Sequence, residues 1–179
     1  MSVPAVLLRV PAVLVLALLP TLALGAATNP SGLPLPRFVT VRAKESNVRV
    51  GPGYQYNIAW TYKVAGTPVE IVQEFDVWRK IRDVDGSEGW VHQNMLSGTR
   101  AGYVSASIGD KVGLRNAAGD DAGIVAWVGP GFPVKIQSCA QNWCEVIATD
   151  HPASGTPANY SGYLPEAALW GVYQGESFD

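Results

Sequence analysis

The sequence has only two cysteines and two histidines in 179 residues, and this scarcity limits the chemistry that it supports. A zinc site needs three or four ligands, mostly cysteine and histidine, so no metal centre is expected. A hydrolase needs a nucleophile with a base, a metal, or paired carboxylates in a cleft. Asp83, Asp85 and Glu88 do cluster, but they fall on a predicted hairpin tip, which is typical of a solvated turn. We therefore predict no catalytic residues, no cofactor and no enzymatic activity.

Basic runs are also missing. The chain has 13 Lys and Arg residues against 15 Asp and Glu residues, and Arg9 lies in an N-terminal leader. Binding to a phosphate backbone depends on clustered lysine and arginine, so nucleic acid is not expected as a partner. Charge is unevenly distributed: residues 37–98 carry 8 basic and 7 acidic residues, whereas residues 99–179 carry 4 basic and 8 acidic residues. We interpret that asymmetry as ordinary solvated surface.

One long apolar run is present, and it lies near the N-terminus. Residues 10–24 are almost continuously apolar, Arg9 precedes them, and small residues follow. This layout is typical of a secretory signal peptide, so we predict a leader over 1–27 that is cleaved near Ala27. The alternative is an uncleaved anchor, but a membrane span needs about 20 apolar residues, and prolines interrupt this run. The mature protein is expected to be exported, periplasmic or secreted, with no membrane span.

The chain contains a duplicated unit. Residues 66–82 (GTPVEIVQEFDVWRKIR) align with residues 131–147 (GFPVKIQSCAQNWCEVI) at a constant shift of 65, which places Trp78 on Trp143. A shift of 66 aligns NVR with GLR upstream, and a shift of 73 aligns GWV with GYL downstream. The second copy therefore gains eight residues near 150–161, a stretch rich in loop formers. We expect a duplicated core with one enlarged surface loop.

Each copy shows strand signals and no convincing helical periodicity. VEIVQEF and WRKIRDV cluster β-branched and aromatic residues, and DVDGSEGW places Asp-Gly between two such runs, which predicts a hairpin. Units of about 60 residues built from short strands favour small, strongly bent barrels. We predict an all-β protein with two tandem barrels: a linker over 28–37, the first barrel over 38–98, a linker over 99–107, and the second barrel with a C-terminal tail over 108–179.

The two cysteines, Cys139 and Cys144, lie in CAQNWC, which is compatible with a metal site, a redox pair or a disulfide. Under the 65-residue shift they fall on Glu74 and Arg79, an opposite-charge pair that flanks a predicted hairpin turn. Cross-strand neighbours in a hairpin have Cβ atoms about 4.5–5.5 Å apart, close to what a disulfide requires. A third cysteine is missing, a catalytic dithiol usually has about two intervening residues, and exported proteins meet an oxidising environment. We predict a disulfide.

Several ordered motifs resemble one known family. NVRVGPG (47–53), GTPVEIV (66–72), WRKIRDVDGSEGWVHQNML (78–96) and WGVYQGE (170–176) are similar to the exported bacterial SH3-like (SH3b) family, in particular to its subgroup with two tandem copies. The resemblance implies small β-barrels that bind cell-wall peptide, glycan or protein, and that larger relatives join to a hydrolase domain. The second copy departs further from the pattern, since LRNAAGD replaces VRVGPGY.

Strand parity places two tryptophans off the predicted cores. Ile81 lies three residues after Trp78, so if Ile81 faces the core, Trp78 points away from it, and the same holds for Trp143 and Val146. A tryptophan in that position is either an exposed contact platform or is covered by a loop or by the other barrel. A β-bulge would shift the parity. Trp78 is the stronger ligand-binding candidate of the two.

The eukaryotic version of this barrel binds peptides in a groove beside a similar tryptophan, and the resemblance extends that groove to GWVHQNML. His92 then takes the place of a groove proline and Met95 that of a groove tyrosine, which departs from polyproline recognition. In the second copy Pro165 is kept, but Ala168 stands at the other position, so that groove is predicted to be emptied. The second-copy candidates are Trp143, Tyr163 and Pro165.

The long first loop supplies further candidates. Tyr54 and Tyr56 follow a Gly-Pro-Gly turn, where related barrels place groove aromatics. Together with Trp78 they form a candidate wall for sugar rings or extended peptide, and we expect one of the two tyrosines to be exposed. The Gly-Pro-Gly turn lacks the lysine and the following helix of a phosphate-binding loop.

Three polar residues receive structural interpretations. Arg49 and Arg115 recur at matching positions, where they either brace a loop through carbonyl hydrogen bonds or meet a ligand carboxylate. Bracing is preferred, because both copies keep the arginine while the groove residues diverge. Asn94 is assigned to its local turn.

The remaining aromatic residues are divided between surface and packing. Trp90 directly precedes Val91, and we assign the valine inward, which leaves Trp90 partly exposed at the binding surface or between the barrels. In the second copy, Leu164 is likewise assigned inward and Tyr163 outward. Trp170 and Tyr173 follow the last strand and are expected to lay the tail back onto the first copy. The residues interpreted mainly as packing are Trp60, Tyr62 and Trp127.

Two function hypotheses follow. The first is a non-catalytic exported module that binds peptidoglycan or its stem peptide, mainly through the first barrel. The second is a structural or protein-interaction factor that docks on another envelope protein, with the acidic second copy as a docking surface. A sheet-edge or groove contact with an extended peptide would serve either. Retention by purified cell wall separates them, since the second predicts none.

Overall fold

The computed structural model describes residues 29–179, and this part of the chain is all-β. Two sheets of seven antiparallel strands follow one another, joined by turns and three short 3₁₀ helices. The predicted all-β, tandem SH3-like fold is therefore confirmed. The signal peptide predicted over 1–27 lies outside the described residues. Among the residues that are described, no helix is long and apolar enough to cross a membrane.

The first sheet comprises β1 (Arg37–Val41), β2 (Ser46–Arg49), β3 (Ile58–Tyr62), β4 (Pro68–Phe75), β5 (Trp78–Arg82), β6 (Glu88–His92) and β7 (Leu96–Ser97). Its hydrogen-bonded order is β3-β2-β6-β5-β4-β1-β7, and a 3₁₀ helix, Gln93–Met95, precedes β7. All seven strands contribute to one core, whose members are Val39, Val41, Val48, Tyr62, Val69, Ile71, Ile81, Val91 and Leu96. The sheet must curl to bring these side chains together, yet its order ends at β3 and β7, so it is a bent open sheet and not a closed barrel.

The second sheet comprises β8 (Ala101–Val104), β9 (Val112–Arg115), β10 (Ile124–Val128), β11 (Pro133–Ala140), β12 (Trp143–Asp150), β13 (Ala158–Pro165) and β14 (Leu169–Trp170). Its order, β10-β9-β13-β12-β11-β8-β14, repeats the first order strand for strand. Two further 3₁₀ helices, Ala106–Ile108 and Glu166–Ala168, lie in its connections. The identical order confirms the duplication; we call residues 29–98 copy 1 and residues 99–179 copy 2.

Corresponding hairpins carry corresponding residue pairs. In copy 2, Cys139 lies directly opposite Cys144 on β11 and β12, and the two form a disulfide with their Cα atoms 4.1 Å apart. In copy 1, Glu74 lies directly opposite Arg79 on β4 and β5, with Oε1 3.2 Å from Nε. The predicted disulfide is confirmed, and the aligned positions in copy 1 hold the opposite-charge pair that the repeat alignment indicates.

The eight-residue insertion in copy 2 lengthens a hairpin and does not simply enlarge a loop. Strands β5 and β6 have five residues each, whereas β12 and β13 have eight each and pair as far as Asp150 with Ala158. Val146 and Ala148 alternate inward and are buried, so the extension continues the two-residue period of the strand. Only the residues between Asp150 and Ala158 remain as loop. The surface-loop expectation is corrected to this extent.

The linker predicted over 99–107 contains strand β8, which pairs with β11 and β14 and so belongs to the second sheet. In its sequence, AGYV, Gly102 and Val104 are buried at alternate positions, as expected for a strand. The run is only four residues long, so this alternation is not recognisable in the sequence. Part of the linker predicted over 28–37 is also ordered against copy 1. Leu35 packs against the first core, and β1 begins at Arg37.

A segment outside each sheet covers the same strand position in both copies. In copy 1 the residues before β1 cover β4: Ser31 donates from its backbone N–H and its hydroxyl to the Glu74 carboxylate, at 2.9 and 2.7 Å. In copy 2 the residues after β14 cover β11: Phe178 and Cys139 exchange backbone hydrogen bonds of 2.9 and 3.0 Å. Cys139 is the repeat equivalent of Glu74, so the two covered positions match.

Strand β14 and the residues after it also join the two copies, as predicted. The Phe38 ring lies 5.0 Å from the Trp170 ring and 4.8 Å from the Tyr173 ring, centroid to centroid. The Tyr173 hydroxyl donates a 2.8 Å hydrogen bond to Glu70 on β4. Burial, followed by this hydrogen bond to a carboxylate, raises the pKa of Tyr173 above its usual value. This contact between the copies is thus aromatic, with a part-buried hydrogen bond beside the rings.

Candidate functional site

The predicted groove of copy 1 forms around three aromatic rings outside the core. Trp78 lies 5.0 Å from the Tyr54 ring and 5.6 Å from the His92 ring, and Tyr54 stacks at 6.0 Å from His92. These residues, with Met95 and Arg49, line a shallow cavity of about 130 Å³. We call this surface the copy 1 groove.

Strand parity accounts for the position of Trp78 and loop packing for its burial. Ile81 is buried in the core, and Trp78, three residues earlier on β5, lies outside that core. Trp78 is nevertheless only 6% exposed, because Tyr54 from the loop after β2 and His92 from the end of β6 pack on it. Of the two alternatives for this tryptophan, the covered one holds. The exposed face of the groove is Tyr54, which is 70% exposed.

Arg49 holds the loop that carries Tyr54. Its Nη1 donates to the carbonyl oxygens of Tyr54 and Tyr56, at 3.2 and 2.6 Å, and its guanidinium carbon lies 5.6 Å from the centre of the Tyr54 ring. This is the geometry that the bracing interpretation requires. Tyr56 is 40% exposed, so both tyrosines reach the surface where one was expected. Its ring lies on Gly51, where an added Cβ would come 2.6 Å from the ring, so a larger residue would displace it.

His92 closes the groove on the other side and also orders the 3₁₀ helix behind it. Its Nδ1 accepts a 3.2 Å hydrogen bond from the backbone N–H of Asn94. The local turn is expected from sequence to depend on the Asn94 side chain, but in the structure the contact is made by the Asn94 backbone N–H with the His92 imidazole. With Nδ1 as acceptor, a neutral ring carries its proton on Nε2, where it is left to donate to a ligand.

A buried ion-pair group lies next to the 3₁₀ helix that follows His92. The repeat alignment indicated its pair of Glu74 with Arg79, but not the contact with Arg37. The Glu74 side chain has no exposed surface and contacts Arg37 at 2.6 Å and Arg79 at 3.2 Å. Arg79 also donates a 2.6 Å hydrogen bond to Gln93 Oε1, in the 3₁₀ helix that follows His92. Desolvation works to raise the pKa of Glu74, but hydrogen bonds from Ser31 and Arg37 and the charge of Arg79 hold that pKa below its usual value.

The acidic residues of the β5–β6 hairpin are engaged in local contacts. Asp83 accepts a 2.7 Å hydrogen bond from the Tyr62 hydroxyl, and Glu88 pairs with Lys80 and Arg82 at 2.6 and 3.1 Å. Burial, and then this bond to Asp83, raises the pKa of Tyr62. Hydrogen bonds from Lys80 and Arg82 lower the pKa of Glu88. These carboxylates have structural partners and do not face one another across a cleft.

Copy 2 does not reproduce the groove. Trp143 and Pro165 lie directly opposite each other on β12 and β13, and both are half-buried. Tyr163 lies opposite Arg115 on β9, and Arg115 Nη1 donates a 2.7 Å hydrogen bond to the carbonyl of Ala122. The loop that Arg115 contacts, NAAGDDAG, has no aromatic residue to take the place of Tyr54.

Trp90 stands apart from the groove. It is half-buried on β6, opposite Arg49 on β2 and Lys80 on β5, and it is not among the residues that line the groove cavity. Its neighbour Val91 is fully buried, as assigned, and so is Leu164 in copy 2. The contact between copies forms elsewhere, through β14 and the residues after it.

A larger cavity, of about 810 Å³, lies between the copies. Tyr62, Tyr103 and Trp170 line it together with the exposed side chains of Val64 and Val84. Pockets of this kind favour domain boundaries. None of the residues predicted from sequence as binding residues lies there.

Comparison with known proteins adds the following findings. A family model described as bacterial SH3 domain matches residues 42–98 and 109–171. The solved structures of NlpC1 and NlpC2 from Trichomonas vaginalis are similar to this chain at 13% and 12% identity, over 76% and 77% of this chain, with a TM-score of 0.30 each. The chain spans 46% and 49% of those two proteins, and a likeness this weak carries no argument about activity. No curated protein matches the sequence.

Proposed function

The chain belongs to the bacterial SH3 domain family, and we propose that it is a non-catalytic, exported module that binds peptidoglycan or its stem peptide through the copy 1 groove. The observation that carries the proposal is the set of three rings, Tyr54, Trp78 and His92, packed 5.0 to 6.0 Å apart outside the core. Tyr54 presents an exposed ring, while the other two are fixed beneath and beside it. A rigid aromatic surface with one polar donor suits an extended peptide or a sugar ring.

The groove is prepared for binding before a ligand arrives. Arg49 fixes the Tyr54 loop through two carbonyl hydrogen bonds, and the ion pair of Glu74 with Arg79 supports the 3₁₀ helix next to His92. Because these side chains are already ordered, binding costs little additional conformational entropy. With Nδ1 engaged by Asn94, we expect the His92 Nε2–H to donate to a carbonyl of a bound peptide or to an acetamido oxygen of a glycan.

The experiment that tests the proposal is co-sedimentation with purified peptidoglycan sacculi. Wild-type protein is expected to pellet in proportion to the sacculi added, and Tyr54→Ala to weaken retention at least about fivefold, since central aromatic contacts dominate binding energy. Val50→Ala is the matched control, because Val50 is an exposed side chain at the start of the same loop and does not line the groove. Soluble stem peptide and soluble glycan added as competitors identify which component is held.

Two outcomes would oppose the proposal. If wild-type protein does not pellet, wall binding is rejected, and docking on an envelope protein becomes the better hypothesis. If Tyr54→Ala pellets like wild type, the wall is bound elsewhere on the molecule. Thermal unfolding of each variant, measured beforehand, ensures that a loss of retention reflects the groove. Tyr54 is the better target than Trp78, because truncating a buried tryptophan would also destabilise copy 1.

The non-catalytic part of the proposal rests on the chemistry of the side chains available. The only two cysteines are joined to each other, and the acidic residues of the β5–β6 hairpin are held in local contacts. We expect the protein to release no soluble fragments from labelled sacculi during prolonged incubation. Fragment release that survives extensive purification would make it a hydrolase.

The exported location is supported by the predicted leader and by the disulfide, which persists in oxidising compartments. We expect the protein recovered from the cell envelope or medium to lack residues 1–27. Intact mass spectrometry of that material measures the cleavage directly. A protein that retains the leader in the soluble cytoplasm would contradict this location.

A further inference from the structure

Copy 2 has an aromatic pocket whose rings have no aromatic equivalents at the aligned positions of copy 1. A cavity of about 290 Å³ is lined by Trp127 of β10, Phe132 in the turn before β11, Asp150 at the end of β12 and Tyr160 of β13. We call it the copy 2 pocket. It is distinct from the copy 1 groove and from the cavity between the copies, since it shares no lining residue with either.

The copy 2 pocket is a product of divergence between the repeats. Trp127 lies opposite Gly113 on β9, and the equivalent residue of copy 1 is Thr61, which lies opposite Asn47 on β2. Tyr160 and Asp150 belong to the part of the β12–β13 hairpin that has no counterpart in the shorter β5–β6 hairpin. One aromatic substitution and one hairpin extension therefore meet at the same surface.

The aromatic residues of this pocket are more exposed than packing requires. Trp127 is 56% exposed and Tyr160 is 38% exposed. Neither side chain belongs to the core of copy 2, so packing of that core does not account for them. Trp127 was expected from sequence to serve mainly as packing, and its exposure corrects that interpretation. Exposed aromatic side chains that line a cavity mark a contact surface.

The one charged side chain that lines the pocket is a carboxylate, that of Asp150. The Lys111 ammonium lies 4.7 Å from the centre of the Trp127 ring and does not line the pocket, so a bound ammonium group must lie nearer to Asp150 than to Lys111. Among the described residues, the Asp150 carboxylate takes part in no salt bridge. An aromatic wall with an unpaired carboxylate is the arrangement that recognises ammonium groups.

We propose that the copy 2 pocket binds a primary ammonium group carried on a short aliphatic chain, as on a lysine-like side chain of a peptide. The methylene groups would lie against Trp127 and Tyr160, and the ammonium would approach the Asp150 carboxylate. A neutral sugar would use the aromatic faces but gain nothing from the negative charge. The proposal does not depend on wall binding through the copy 1 groove.

The test is a nuclear magnetic resonance titration of the oxidised protein with Nα-acetyl-lysine methylamide. The Trp127 indole N–H signal is assigned as the one lost in Trp127→Phe. We expect saturable shifts of this signal at about millimolar ligand, and no saturation with the Nα,Nε-diacetyl compound, which has the same chain without the charge. Asp150→Asn should weaken binding at least about fivefold. Asp121→Asn, which makes the same charge change at an exposed loop position outside the pocket, should leave binding unchanged.

Each contrary result overturns the proposal in a recognisable way. Absence of saturable shifts with the amine rejects it outright. Equal responses to the amine and to its acetylated form would show an apolar pocket, and a response to N-acetylglucosamine alone would show a sugar site. Equal weakening by Asp150→Asn and Asp121→Asn would show that the amine responds to the net charge of the protein and not to the Asp150 carboxylate. Repeating the titration with Tyr54→Ala separates the two sites, because that substitution is expected to leave the Trp127 shifts intact.

Discussion

Removing the disulfide is expected to lower the free energy of unfolding of copy 2 by about 2 kcal/mol, through the chain entropy of a short loop. The bond joins residues with a sequence separation of 5, so the loop is small and the effect lies at the lower end of the usual range. The bond closes a tight hairpin turn in which Gln141 and Asn142 adopt positive φ values of 53° and 66°. Replacing Cys139 and Cys144 by alanine adds about 1 kcal/mol, because both side chains are buried and leave small gaps.

The assay is equilibrium urea unfolding followed by tryptophan fluorescence, with three samples compared. Oxidised wild type should be the most stable, wild type with reductant less stable by about 2 kcal/mol, and Cys139→Ala/Cys144→Ala slightly less stable again. Reductant added to the double variant is the control and should change nothing. Unfolding midpoints that are the same with and without reductant would refute the reasoning, as would two free thiols titrated in the native protein.

Three further predictions follow from buried polar groups. Tyr62 and Tyr173 have pKa values raised by burial and by carboxylate partners; the folded protein therefore holds these protons more tightly, and stability should fall as pH rises above about 10. Urea midpoints between pH 9 and 11 measure this, and an unchanged alkaline slope in Tyr173→Phe would argue against it. Glu74→Gln should cost about 3 kcal/mol by leaving Arg37 and Arg79 without their buried partner. Because the pKa of Glu74 is lowered, its contribution is present above about pH 4.3 and is lost as pH falls through the folded value, so this variant should show a shallower acid-side loss. A variant as stable as wild type in urea at pH 7 would be inconsistent with that role. Finally, Glu74→Cys/Arg79→Cys should oxidise spontaneously, since the two positions face each other as the native cysteines do; persistent free thiols after air oxidation would show that the hairpins differ.

The parts of the fold that the sequence predicted are those set by local periodicity and by the repeat. Alternation placed Ile81 and Val91 inside and Trp78 outside the core, because side chains on a strand change face at every residue. The alignment of the two copies places Cys139 and Cys144 at the positions that flank a hairpin turn, and the structure brings them directly opposite each other. A period of two and a constant shift are preserved wherever the sheets are regular, so these inferences were correct.

The parts that were not predicted depend on contacts between segments distant in sequence. The sequence placed Tyr54 beside Trp78, but whether Trp78 is exposed or covered depends on how closely the Tyr54 loop and His92 pack on it, which is a contact across the sheet. Strand β8 was assigned to a linker because four residues of mixed polarity pair only with strands much later in the chain. The extended hairpin at Asp150 was hidden because its residues resemble a loop in composition and pair through their backbone.

The segments that cover Glu74 in copy 1 and Cys139 in copy 2 make the repeats directional. Copy 1 is completed by residues that precede its sheet, and copy 2 by residues that follow its sheet and then reach back to Phe38. Two copies that are covered by segments from opposite ends of the chain are not interchangeable units. A chain with copy 1 repeated twice would keep a cover on both hairpins, but it would lack Trp170 and Tyr173, so the aromatic junction with Phe38 would not form. Recombination that shuffles such units is therefore constrained to move the pair as a whole.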